Sequence, residues 1–315
     1  IMPKNHVKKS HIKSISSNIK CDFFYLPRQI NPRCLLTMQE VKAKIDSHNP
    51  DVVHLQSHGH LWFFSIFSKI SKYAIVNTVH DPKPHLGEEK FYHNFIIKNG
   101  LKNTDMFIVH GHYLKNQMER FYNIDNRKIS VIPHGNFELY KKGVTDFPKK
   151  GEKKILFFGR LWKYKGLQYL IKAEPLISQK IKDYKIVLAF HGESFSKYSK
   201  LIMNWEKFEI HNRYIPNEEV SNFFDEASVV VLPYVEASQS GVVAISFAFG
   251  KPVVVTNVGS LSEVVDHGNT GFVVSPKSVS ELANAIIKLL SDDNLREIMG
   301  QKALKFSKTE LSWDE

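Results

Sequence analysis

Cysteine is nearly absent from this chain. Two residues, Cys21 and Cys34, stand among 315. That is too few for a disulfide framework and fits a reducing compartment. Long apolar runs are missing too. No stretch approaches roughly 18 uninterrupted apolar residues, so no membrane-spanning helix is expected. The opening residues, IMPKNHVKKSHIKS, have no apolar centre and no small-residue cleavage site, so no secretory leader is expected there. HExxH does not occur, and neither does a zinc finger, a basic zipper or an RNA-binding aromatic motif. Acidic residues are the scarcer charge: 32 Asp and Glu stand against 43 Lys and Arg, a formal net charge of +11. A surface of that sign attracts nucleic acid, anionic lipid or phosphorylated small molecules. The basic residues are scattered, apart from Lys149, Lys150, Lys153 and Lys154. With no nucleic-acid motif present, the expectation turns away from nucleic acid. Contact with anionic lipid headgroups stays open.

What is present is a regular alternation. A hydrophobic fraction of 43% supports a real core, and the length suits two domains. DVVHL (51–55), AIVNTV (74–79), MFIVH (106–110) and KISVI (128–132) read as buried parallel strands. KILFFG (154–159), KIVLAF (185–190), SVVVLP (228–233), PVVVTN (252–257) and GFVV (271–274) follow. Helical patterns lie between many of them. The clearest is 278–293, where Ser278 and Glu281 form a candidate capping box and Leu282, Ala285, Ile286, Leu289 and Leu290 share one face. Strands alternating with helices predict an α/β fold of parallel sheets. Residues 136–153 carry charge, glycine and proline without periodicity. A first α/β domain is therefore expected over 1–140, a linker over 141–152 and a second α/β domain over 153–315.

Open parallel sheets bind ligands beyond the carboxyl ends of their strands. In the first half the residues there are often histidine: His54, His58, His60, His80, His85, His110, His112 and His134. A zinc hydrolase would need more. Pairs two residues apart, with no carboxylate cluster beside them, are a weak metal signature, so no metal site is expected. In the second half, FFGRLWKYKG (157–166) ends a strand and sets Arg160 and Lys165 in the following loop. Both are suited to a diphosphate, the arginine as a planar fork and the lysine as a point charge. Two solvated loop charges would look the same. PYVEASQSG (233–241) leaves the next strand and leads into a helix that Gly250 and Pro252 stop. Small residues there let a ligand approach backbone N–H groups at a helix N-terminus, a ready anion site. Glu236 is the lone carboxylate beside it, suited either to sugar hydroxyls or to capping its own loop.

In order and spacing, FGRLWKYKG, PYVEASQSG and AFGKPVVVTNVGSLSEVVDHGNTGFVV resemble the nucleotide-sugar-binding half of family 4 glycosyltransferases, of the GT-B fold. NPDVVHLQ, VNTVHDPKPH and KISVIPHGN are similar to the acceptor-side half of that family. The resemblance spans about 45–307. It implies two Rossmann-like domains facing across a cleft. It also implies a metal-independent, retaining transfer of a hexosyl group from a UDP- or GDP-linked sugar, with no further cofactor. By the same resemblance, Arg160 and Lys165 bind the donor diphosphate, Glu236 contacts the transferred sugar, and Ser240, Gly241 and Val242 offer backbone amides. His80 lines the reaction centre, and Glu263 sits in a later turn where it either joins the donor site or caps a helix. The implied acceptor is a glycan or lipid-linked molecule of polysaccharide or glycoconjugate biosynthesis, made in the cytoplasm or at the inner membrane face.

Two departures from the family pattern stand out. Its second glutamate, the ribose ligand, is replaced by Ala244, or by Ile245 when Gly250 anchors the alignment. The first 30 residues show no glycine-rich loop, and the chain stops at LSWDE, where the family continues into a helix crossing back to the first domain. A non-catalytic nucleotide-sugar binder and a nucleotide-sugar epimerase on the same fold are the alternatives.

Overall fold

The computed structural model describes residues 2–3, 21–25, 31–56, 70, 72–83, 101–141 and 153–313. Of the expected linker only residue 141 is among them. Internal contacts divide the chain into two units. Among the described residues, the first unit holds those up to 83, 101–109 and 117–130, and the second holds 110–116 and 131–313.

The first unit opens with a two-residue parallel pairing of β1 (Met2–Pro3) and β2 (Phe23–Phe24). Helix α1 (Cys34–His48) follows, and Asn49 in left-handed conformation ends it. The main sheet has the order β3-β4-β5-β6, from β3 (Val52–Leu55), β4 (Ala74–Thr78), β5 (Met106–Val109) and β6 (Ile129–Val131). The β3–β4 and β4–β5 pairs are parallel. Met38, Val41 and Ile45 recur at helical spacing on α1 and pack in one core with Val53, Leu55 and Ile75. Helix α2 (His112–Tyr122) lies between β5 and β6 in sequence. Both cysteines are free; Cys34 is buried in this unit and Cys21 is half-buried.

The second unit holds a six-stranded sheet of order β12-β11-β10-β7-β8-β9. Its strands are β7 (Lys153–Leu161), β8 (Tyr184–Gly192), β9 (Phe208–Asn212), β10 (Val229–Leu232), β11 (Val253–Thr256) and β12 (Gly271–Val274). Every neighbouring pair is parallel. The first three strands run outward one way and the last three the other, which is the doubly wound dinucleotide-binding order. The helices between them are α3 (Leu167–Lys180), α4 (Ser196–Ser199), α5 (Asn217–Glu226), α6 (Gly241–Ala248), α7 (Leu261–Val264), α8 (Val279–Ser291) and α9 (Asp293–Lys308). VVVL in β10 and VVVT in β11 are buried at every position, as sheets covered on both faces require. The cap of α8 is formed, with a shift. Glu281 N–H donates to Ser278 Oγ, but the Glu281 carboxylate reaches back to the N–H of Ser275 at 2.8 Å. Each of the nine expected strands is found. FEIHN, which forms β9, was not anticipated: it is a partly exposed edge strand without an aliphatic run.

Candidate functional site

The reversal of strand order sets β7 beside β10, so their outgoing loops start as neighbours. β7 runs two residues past the expected end at Gly159, pairing Arg160 with His191 and Leu161 with Gly192. Arg160 is exposed. A Cβ on Gly159 would lie 3.8 Å from Val242 Cγ2. The end of β7 and the first turn of α6 are therefore adjacent.

Lys163–Lys165 form one 3-10 turn, closed by Gly166 at φ +67. A Cβ on Gly166 would lie 1.9 Å from the Pro233 carbonyl oxygen. Glycine thus meets both needs of this position, the left-handed backbone and the close approach to the exit of β10. The Val235 N–H donates to the Tyr164 carbonyl at 2.8 Å and completes the join. Lys165 Nζ donates to Tyr234 Oη at 2.6 Å and lies 3.9 Å from the centroid of the same ring. Tyr234 is 1% exposed. Burial raises its phenol well above the ordinary value, so it carries its proton at neutral pH. Its Oη is 3.4 Å from Ser240 Oγ.

Ser240 is the N-cap of α6, with extended backbone and no side-chain cap bond. The N–H groups of Gly241 and Val242 open the helix, where no intrahelical carbonyl is in reach. Val243 N–H turns back to the Ser240 carbonyl at 3.1 Å. Glu236 is half-buried in the loop between Tyr234 and Ser240. The loop after β11 closes the group. Ser260 N–H donates to the Ser238 carbonyl at 3.0 Å, and a Cβ on Gly259, at φ +56, would lie 1.8 Å from the Ala237 carbonyl oxygen. Arg160, Lys165, Glu236, Ser240, Gly241 and Val242 thus sit on loops fastened to one another at the switch point of the sheet. Cations and N–H groups held this way favour a polyanion.

The remaining expected residues lie on other segments. The Glu263 carboxylate accepts from the His112 N–H at 2.6 Å and the Tyr113 N–H at 2.7 Å, so it caps α2. Of its two expected roles, the structure displays the cap. His80 follows β4 in the first unit and is half-buried. His58, His60 and His85 lie outside the described residues. His110 and His134 have ring centroids 5.1 Å apart and line a cavity of about 20 Å³ with Gln239, Ser240, Ala244 and Ser260. The buried Gln239 Oε1 and Ser260 Oγ have no protein partner there. Among the described residues, no three His, Cys, Asp or Glu side chains converge as metal ligands would. Ala244 and Ile245, at the place of the missing glutamate, pack into the apolar core with Val243 and Phe247. Tyr234 was not anticipated. A single aromatic after a strand carries no signature; only the folded loops show what it touches.

Two family models match. "Glycosyltransferase Family 4" covers 18–135 and "Glycosyl transferases group 1" covers 152–292. The chain belongs to the family 4 glycosyltransferases. It is 28% identical to an uncharacterised glycosyltransferase of Methanocaldococcus jannaschii over 76% of this chain and 64% of that one. It is 26% identical to the D-inositol 3-phosphate glycosyltransferase of Pseudarthrobacter chlorophenolicus over 88% of this chain and 72% of the other. The chain therefore spans just under two thirds of the first of these relatives. In fold it is similar to Anabaena HepE, solved in complex with UDP, with a TM-score of 0.74 at 18% identity over 92% of this chain and 82% of that one. Two parallel-sheet α/β units and this likeness make the fold GT-B.

Proposed function

We propose that this family member is a retaining hexosyltransferase. It moves a sugar from a nucleoside diphosphate sugar to a glycan or lipid-linked acceptor, with peripheral contact to an anionic membrane surface. The observation that carries the reading is the fastening of Arg160, Lys165 and the N-terminus of α6 at one switch point. HepE, on the same fold, was solved with UDP and with UDP-glucose, which supports a uridine donor.

As the bond from the anomeric carbon to the diphosphate oxygen breaks, negative charge grows on the leaving nucleotide. Arg160, Lys165 and the N–H groups of Gly241 and Val242 stabilise that charge. They supply the positive potential a divalent ion gives in other transferases, and the proposal is therefore metal-independent. Glu236 accepts hydrogen bonds from hydroxyls of the transferred sugar. His80, at the exit of β4, is proposed as the acceptor-domain residue of the reaction. The acceptor oxygen bonds to the anomeric carbon on the face the nucleotide leaves, and the proton of the acceptor hydroxyl passes to the departing diphosphate oxygen. With Ala244 and Ile245 in the core, the ribose is held by other groups than a second glutamate.

The test is thermal unfolding with UDP, GDP, ADP and their sugar conjugates, for the wild type and Arg160→Ala. A ligand at about 100 times its Kd adds roughly 2.7 kcal/mol. A shift with one nucleotide, lost in Arg160→Ala, supports the reading and identifies the base. No shift with any of them removes it. Binding without transfer or donor hydrolysis would leave a non-catalytic binder, and a new nucleotide-sugar isomer would mark an epimerase.

A further inference from the structure

We propose that Tyr234 is a positioning residue of the donor site, one that holds the Lys165 ammonium in place and couples it to Ser240. The proposal rests on the donor reading above. A lysine on a loop is a flexible point charge with three rotatable donors and several rotamers to lose. Here the ammonium has a fixed seat. It donates to Tyr234 Oη at 2.6 Å and rests 3.9 Å from the ring centroid, so one residue offers both a hydrogen bond and a cation–π contact.

The seat itself cannot shift easily. Tyr234 is 1% exposed, and its ring meets the Tyr164 ring edge-on at 6.3 Å between centroids. Its carbonyl accepts from Thr256 Oγ1 at 2.6 Å. The next residue is tied back to Tyr164 through the Val235 N–H. The phenol thus belongs to the loop after β10 but governs a charge on the loop after β7. Besides accepting from Lys165, the hydroxyl lies 3.4 Å from Ser240 Oγ, where either oxygen can donate. Lysine, tyrosine and the N-cap serine form one chain across the switch point. A diphosphate bound at the start of α6 would then meet an ammonium already in position.

Tyr234→Phe keeps the ring and removes the hydroxyl. UDP binding is measured by calorimetry on the wild type, Tyr234→Phe, Lys165→Met and the double variant, and the ligand-free Tyr234→Phe protein is crystallised. The expected loss of UDP affinity in Tyr234→Phe is about tenfold, the scale of one hydrogen bond to a charged group. In the Lys165→Met background the same change should cost almost nothing, because the positioned group is gone. Equal losses in both backgrounds would mean that Tyr234 acts on the site without Lys165, and would overturn the proposal. Unchanged affinity in Tyr234→Phe would do the same. If the wild type binds no UDP, the uridine donor reading fails, and the crystal structure decides the present proposal alone. Lys165 Nζ displaced from the loop after β10 would support it, and Nζ in its original place would overturn it.

Discussion

Lys251 is a residue whose cost is visible in its surroundings. It is 5% exposed at the turn into β11, where Nζ donates to the Asp225 carbonyl at 2.7 Å. Loss of water pulls its ammonium down from the ordinary 10.5 to about 8; the Asp225 charge opposes the shift, and Arg296 and Lys141 add to it. Below about pH 8 the lysine is charged in both the folded and unfolded chain, so the full burial cost, about 3 kcal/mol, weighs on the fold. Between about 8 and 10.5 the unfolded chain binds more protons than the folded one, and the cost is lost as pH rises. The wild type should therefore gain on Lys251→Met through that window, by a total approaching about 3 kcal/mol. Urea unfolding of both proteins at a series of pH values measures the difference. A constant difference would mean that the ammonium reaches water in the folded state.

At the scale of elements, the cap of α2 sets a clear choice. Glu263 lies 150 and 151 positions from the two N–H groups it accepts. A carboxylate at a helix N-terminus is worth about 1 kcal/mol. Glu263→Ala should lower stability by about that amount while UDP affinity stays unchanged. An affinity loss without a stability loss would return Glu263 to the donor site. Beside the cap, Gly111 approaches Ser260 so closely that a Cβ would lie 2.1 Å from its Oγ and 2.5 Å from its Cβ. Gly111→Ala should destabilise the protein more than Glu263→Ala, because the Ser260 Cβ is fixed to its backbone and no rotamer change moves it clear. Thermal unfolding ranks the two.

The same pair shows what could be read before folding. VVVL and VVVT are covered on both faces and announce themselves by composition; FEIHN lies at a sheet edge, where half-exposure removes the aliphatic signal. Arg160, Lys165 and Ser240 were legible because the loop after a strand is where parallel sheets bind ligands. The Glu263 cap and the Lys165–Tyr234 pair were not, since both join segments that sequence distance separates. Only the folded loops bring them together.

At the scale of the whole chain, an excess charge of +11 goes with apolar residues that reach water. Among the described residues, no helix is long and apolar enough to cross a membrane. In the segment between β8 and β9, Leu201, Met203 and Trp205 are 37%, 85% and 52% exposed, while Ile202 turns inward at 7%. Lys197, Lys200 and Lys207 flank them, Lys197 in an ion pair with Glu193 and Lys207 next to Glu206, so the segment keeps a small positive excess. Trp205 and Met203 are costly to leave in water, and the flanking lysines would favour an anionic headgroup layer over any neutral one. If the proposed membrane contact is made here, the protein should sediment with vesicles containing phosphatidylserine and not with phosphatidylcholine alone. Binding should fall steeply as salt is raised well above about 0.1 M, where screening acts within about 10 Å. Met203→Ser with Trp205→Ser should weaken it further, leaving UDP affinity intact. Equal binding to neutral vesicles would assign the patch to apolar contact alone. Binding that survives the double variant would move the contact to another face of the molecule.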